Sequence, residues 1–200
     1  MSLPPPVERT LFHTRQVVCH GYSRADGLWD IEGRIVDTKS YELVFYDGRY
    51  RPPGEPLHDM TVRITINEDF LIVDAEAFTA YGPFIPCPEV AVMYKKLIGL
   101  TIGPGFTRKL KALFRGRDGC THITELMGPI ATTAYQTVSS GQRKRQRDQG
   151  LDVPSTSPIN IAPLINTCHG WRSDGDAVKV QYPDFYRESE ADEEAEETKD

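Results

Sequence analysis

No apolar run in the 200 residues approaches the roughly 18 that a membrane-spanning helix needs. Residues 1–6 show no charged start followed by an apolar stretch, so no secretory signal is visible. Cysteine is scarce: the four residues Cys19, Cys87, Cys120 and Cys168 lie far apart. Without an export signal they are expected to be reduced thiols, and a cytoplasmic location follows. No pair of them has zinc-finger spacing. There is no Gly-x-Ser-x-Gly nucleophile elbow. The glycines at Gly99, Gly103 and Gly105 lack the lysine of a P-loop and follow no strand, which sets nucleotide binding aside. The basic residues Arg143, Lys144, Arg145 and Arg147 have no interleaved aromatics, which argues against a nucleic-acid surface.

Charge is present but unevenly placed. The chain carries a formal net charge of −6. Residues 188–200 hold eight carboxylates and one lysine, so the acidity belongs to the tail and the body is nearly neutral. The tail has no large apolar side chains to bury and is expected to be disordered. The expected organisation is an extended lead-in over residues 1–8, a single domain over 9–187 with a mobile basic linker at about 139–158, and the acidic tail.

Along the body, residues 9–22 and 28–38 read as strands joined by an Asp26-Gly27 turn, with Trp29, Ile31 and Ile35 on one face. Pro52, Pro53 and Pro56 mark a loop. Met60, Val62, Ile64 and Ile66 alternate with polar residues, and Leu71, Val73, Ala75 and Ala77 continue that period after a turn at residues 67–69, which predicts a hairpin. Helical spacing follows in Val90, Met93, Tyr94, Leu97 and Ile98, and again in Phe106, Leu110, Leu113 and Phe114. A third helix is expected from Ile123 to about Val138, with Pro129 inside it. Residues 177–182 read as a last strand. Strands first and helices later predict an α+β fold, an antiparallel sheet with helices packed on one face.

Side chains suited to chemistry sit in four short segments: His58-Asp59, Cys87 between two prolines, Cys120-Thr121-His122 with Glu125, and Cys168-His169. The pair Cys19-His20 lies in a strand, where the two side chains point to opposite faces. Cys120 precedes a helix, where unpaired backbone N–H groups favour a thiolate. His122 and Glu125 share a helix face, which continues through Thr132, Thr133 and Gln136 as a polar stripe. Taken singly, each cysteine is more often a small buried residue than a ligand, and His58-Asp59 also serves as a loop closure.

Two resemblances add to this reading. The runs Asp26-Gly27-Leu28-Trp29, Pro56-Leu57-His58-Asp59-Met60, Gly119-Cys120-Thr121-His122-Ile123 and Ala131-Thr132-Thr133-Ala134-Tyr135-Gln136 resemble the signatures of the bacterial DUF2889 family, to which no function is assigned. More distantly, Asp59-Met60, the hairpin, Ala80-Tyr81-Gly82 and Thr121-His122 are similar in pattern to iron–sulfur scaffold proteins of the NifU N-terminal type. In that alignment the scaffold's cysteine ligands fall beside, rather than on, His58, Cys87, Cys120 and His122. The resemblance implies a scaffold-like fold with its site at the helix end of the hairpin.

The sequence therefore leads to a metal-site protein in which His58, Cys87, Cys120 and His122 hold zinc or iron and Cys120, His122 and Glu125 carry the chemistry. One alternative is a metal-free enzyme acting on a small organic substrate, with Arg63 or Arg108 as anion partners. The other is a binding module for a small-molecule ligand or a protein, without catalysis.

Overall fold

A computed structural model describes residues 3–153 and 162–188. Residues 1–2 of the expected lead-in, 154–158 of the expected linker and 189–200 of the expected acidic tail lie outside these described residues. The chain divides into two compact units, Met1–Gly141 and Gln142–Asp200.

The first unit is built on an antiparallel four-stranded sheet with β1 (His13–Ser23), β2 (Trp29–Lys39), β5 (Pro56–Ile66) and β6 (Ile72–Tyr81) in that spatial order. A small second sheet pairs β3 (Leu43–Val44) with β4 (Tyr50–Arg51) in the β2–β5 connection. The Asp26-Gly27 turn forms as expected, with Gly27 at φ 89° and the Arg24 N–H donating to the Leu28 carbonyl over 3.0 Å. Pro56 opens β5, a first position that needs no ladder donor.

Strand alternation decides what faces the helices. Trp29, Ile31 and Ile35 of β2, and Met60, Val62, Ile64 and Ile66 of β5, are buried in one core. In β6 the register shifts between the Thr65 and Ile66 pairings, so Ile72 is buried and Val73 is exposed, in place of the Leu71 and Val73 phase expected.

Residues Cys87–Leu97 form a long 3₁₀ run rather than an α-helix. Its buried residues, Ala91, Tyr94 and Leu97, recur every three positions, the period of a 3₁₀ helix. Ile98, expected on the apolar face, falls outside the run and is exposed. α1 (Phe106–Leu113) buries Phe106 and Leu110.

α2 (Thr121–Asp148) is far longer than expected, and Pro129 lies within it. Residues 139–148, read as linker from their polarity, are its last turns, because Lys, Arg and Gln are good helix formers even when solvated. Within the first unit α2 lies close against the sheet. A Cβ on Gly33 would sit 2.6 Å from Ile130 Cγ1 and 3.2 Å from Leu126 Cδ1, and a Cβ on Gly21 would clash with Thr137. Glycine at these positions lets helix and sheet backbones approach, and the contacts run α2 along β2 with its N-terminus toward the Asp37 end.

In the second unit, α3 (Asp176–Gln181) replaces the strand expected over 177–182. Val178 and Val180 mimic alternation, yet only Val178 is buried, while Val180 is 80% exposed. Gly175 precedes the helix and Asp176 lies in its first turn, where a carboxylate favours helix over strand.

Candidate metal centre

The inward face of the sheet is apolar until its last row. Cross-strand pairing aligns Arg15 of β1 with Asp37 of β2, and Asp37 with His58 of β5. This row continues the alternation that buries Ile31, Ile35 and Met60, so an arginine, a carboxylate and an imidazole take the places of core residues at the sheet's end. Asp37 is fully buried. Adjacent to His58, Asp59 points to the other face, where its two carboxylate oxygens accept from Arg34 at 2.8 and 2.6 Å. The two members of the His58-Asp59 pair thus do unrelated work.

α2 supplies the remaining side chains from above the row. The Cys120 carbonyl accepts the first helical bond, from the Thr124 N–H at 2.9 Å, so Cys120 is the N-cap. The buried Tyr94 fixes this end: its hydroxyl accepts from the Cys120 N–H at 3.0 Å and lies 2.9 Å from the Cys120 carbonyl and 2.7 Å from Thr124 Oγ1. Two residues on, the His122 ring packs on the His58 ring with centroids 3.7 Å apart.

Asp37 is the hub. Its Oδ1 accepts from Arg15 Nε at 2.8 Å and lies 3.1 Å from His13 Nε2. Its Oδ2 accepts from Arg15 Nη2 at 2.8 Å, with His58 Nδ1 at 3.0 Å and His122 Nε2 at 3.6 Å. Arg15 Nη1 also donates to Glu125 Oε2 at 3.1 Å, tying β1 to α2. One carboxylate oxygen of Asp37 and one ring nitrogen from each of His58 and His122 all lie within 4.8 Å of one another. This group could hold a metal ion.

The electrostatics suit ligation. Burial alone would raise the Asp37 carboxyl, but the Arg15 hydrogen bonds and the Arg15 charge outweigh it and bring it down to about 2. Burial lowers His58, and the neighbouring His122 lowers it further. Burial also lowers His122, with Arg15 acting in the same direction. At neutral pH the centre is a carboxylate beside two neutral imidazoles, the form in which both residue types bind metals.

His58, Cys120 and His122, expected near one point, are neighbours: Cys120 Sγ lies 4.0 Å from His122 Nδ1. Glu125 reaches the site through Arg15. Cys87 opens the 3₁₀ run with its side chain against Gly82, and the converging donor group includes neither it nor Cys120. Cys168 and His169 lie in the second unit. Cys19 packs partly buried on the core while His20 is exposed, as their strand position requires. Thr132 and Gln136 of the polar stripe are solvated. Arg63 pairs with Glu76 and with Glu32, the latter at 3.6 Å.

The sequence reading missed Asp37, Arg15 and His13. One signal was present for Asp37: a carboxylate at the next inward position after Trp29, Ile31, Gly33 and Ile35 must be buried, and a buried carboxylate needs partners. Arg15 and His13 carry no such signal, because β1 shows no apolar alternation at that end.

Fold and site together define an α+β protein whose sheet ends in a His/Asp cluster able to hold a metal ion. The family described as "Protein of unknown function (DUF2889)" matches residues 13–136, and the chain belongs to it. That span contains every residue of the cluster. Comparisons with curated proteins and with solved structures found no match.

Proposed function

We propose that this is a metal-site protein in which Asp37, His58 and His122 hold one zinc or iron ion. The observation that carries the reading is the convergence of three donors within 4.8 Å, one of them a fully buried carboxylate. A two-histidine, one-carboxylate set leaves further coordination positions open, the arrangement used both by non-haem iron sites and by catalytic zinc sites. His58 and His122 keep the roles expected from sequence, and Asp37 completes the set without Cys87. Arg15 and Glu125 orient the carboxylate from outside it. Zinc or iron(II) titrated into purified protein against a chromophoric chelator should show one tight site per chain. Asp37→Ala and His122→Ala should weaken it at least a hundredfold with an unchanged circular dichroism spectrum. Wild-type affinity in either folded variant would contradict the assignment.

A second reading rests on a specific contact. Arg15 engages both oxygens of Asp37, which leaves Asp37 to orient His58 through Nδ1 and frees the other His58 nitrogen for acid–base work on a small organic substrate. Activity that survives complete metal removal would favour it.

A further inference from the structure

His122 is two-sided. Its Nε2 faces Asp37 at 3.6 Å, while its Nδ1 faces a second group of donors that the zinc or iron reading does not use. On that side Cys120 Sγ lies 4.0 Å from His122 Nδ1 and 3.8 Å from Met60 Sδ. We propose that Cys120, Met60 and His122 Nδ1 form a site for a soft monovalent cation, copper(I) above all.

The spacing is the first argument. An ion bound in a trigonal plane by two sulfurs and a nitrogen, at bond lengths of about 2.0–2.3 Å, holds its donors about 3.7–4.0 Å apart. The Cys120–Met60 and Cys120–His122 separations both fall in that interval. Donor chemistry is the second argument. A thiolate and a thioether are soft donors that suit copper(I) and exclude hard ions such as magnesium. Position is the third. Met60 is 1% exposed and belongs to the core row next to His58, while Tyr94 pins the backbone of Cys120 from both its N–H and its carbonyl. Cys120 caps α2, so its position is fixed by the helix start. Binding exchanges the Cys120 thiol proton for the ion: the S–H bond breaks, a sulfur–copper bond forms, and the proton leaves to solvent. Copper stays monovalent throughout, so no oxidant or reductant is required.

Sharing His122 has a consequence. A neutral imidazole offers one lone pair, so copper on Nδ1 leaves Nε2 protonated, as a donor toward Asp37 instead of a ligand. The soft site and the Asp37 site then compete for one side chain. Asp37 is a partner of His122 there and not a ligand of the copper.

The test uses reduced full-length protein under anaerobic conditions, with Cys168→Ser as the background to remove the exposed thiol beside His169. Copper(I) is titrated in competition with bicinchoninate. The background protein should withdraw one equivalent per chain, and copper-edge X-ray absorption should show two sulfurs and one nitrogen. Cys120→Ser and Met60→Leu should each weaken binding at least tenfold, whereas His20→Asn, an exposed imidazole on β1 outside both sites, should leave it unchanged. Absence of copper withdrawal, a nitrogen- or oxygen-only shell, or full affinity in a folded Cys120→Ser variant would overturn the proposal. Zinc binding kept in Met60→Leu while copper binding falls supports a separate soft site, and copper withdrawal by a background protein that binds no zinc would overturn the Asp37 site alone.

Discussion

Asp37 shows how one residue sets the character of the centre. A carboxylate without exposure is tolerable only with charge-assisted partners, and Arg15 supplies three hydrogen bonds in all, two of them to Asp37. The consequence for stability has a definite sign. Because the folded carboxyl sits at about 2, below its ordinary 3.8, the unfolded chain binds the proton more readily. Its contribution, on the order of 2 kcal/mol, is complete above about pH 5 and disappears as pH falls toward 2. His58 and His122 act in a higher window. Both are lowered in the folded state, so the unfolded chain takes up protons first as pH falls below the ordinary histidine value of about 6.5. Stability of the metal-free protein should therefore fall between about pH 7 and pH 5, and metal affinity should fall with it. Urea titrations at pH 7.5, 6.5 and 5.5 check this. His58→Gln/His122→Gln protein should lose the slope in that window, and a slope of wild-type size in the double variant would refute the assignment to these rings. His58 and His122 were legible in the sequence because histidines near a helix start and a hairpin are conspicuous. Asp37 carried only the signal of an inward carboxylate, because its partners come from β1, β5 and α2, far away in the chain.

At the scale of elements, the hairpin and the β2 face could be read directly from alternation, since burial on one side of a strand leaves a two-residue period. The 3₁₀ run could not, because Ala91, Tyr94 and Leu97 satisfy a period of three while Tyr94, Leu97 and Ile98 mimic a period of 3.6. α2 owes its placement to glycine. Gly33→Ala should cost about 1–3 kcal/mol by pushing Ile130 and Leu126 away from β2. It should also weaken metal binding, since His122 rides on the same helix. Equilibrium unfolding and zinc titration of this one variant report both effects, and a neutral outcome in both would mean that α2 tolerates displacement. The correction of the last strand to α3 has its own check. Val178→Ala should destabilise by about 1 kcal/mol or more, while Val180→Ser should stay within about 0.5 kcal/mol. Equal penalties would indicate two buried valines, as in the strand the sequence suggested.

For the molecule as a whole, the site follows from the architecture. An antiparallel sheet covered on one face has an apolar inner surface along its length, and polar groups enter only where the rows run out. Here that end coincides with the start of α2, so one region collects Arg15, Asp37 and His58 from three adjacent strands and Cys120, His122 and Glu125 from the helix. The α+β class was legible from the order of strands and helices. The identity of the hub was not, because register between β1, β2 and β5 is a property of the folded sheet. The family match over residues 13–136 spans the sheet, the 3₁₀ run, α1 and the first half of α2.

The most direct measurement is an anomalous diffraction map from crystals of the full-length protein reconstituted with zinc, recorded at the zinc absorption edge. The account predicts one strong peak within about 2.0–2.3 Å of an Asp37 carboxylate oxygen and a ring nitrogen of each of His58 and His122. A map with no peak there, or with its strongest peak at Cys168-His169 or Cys87, would contradict it.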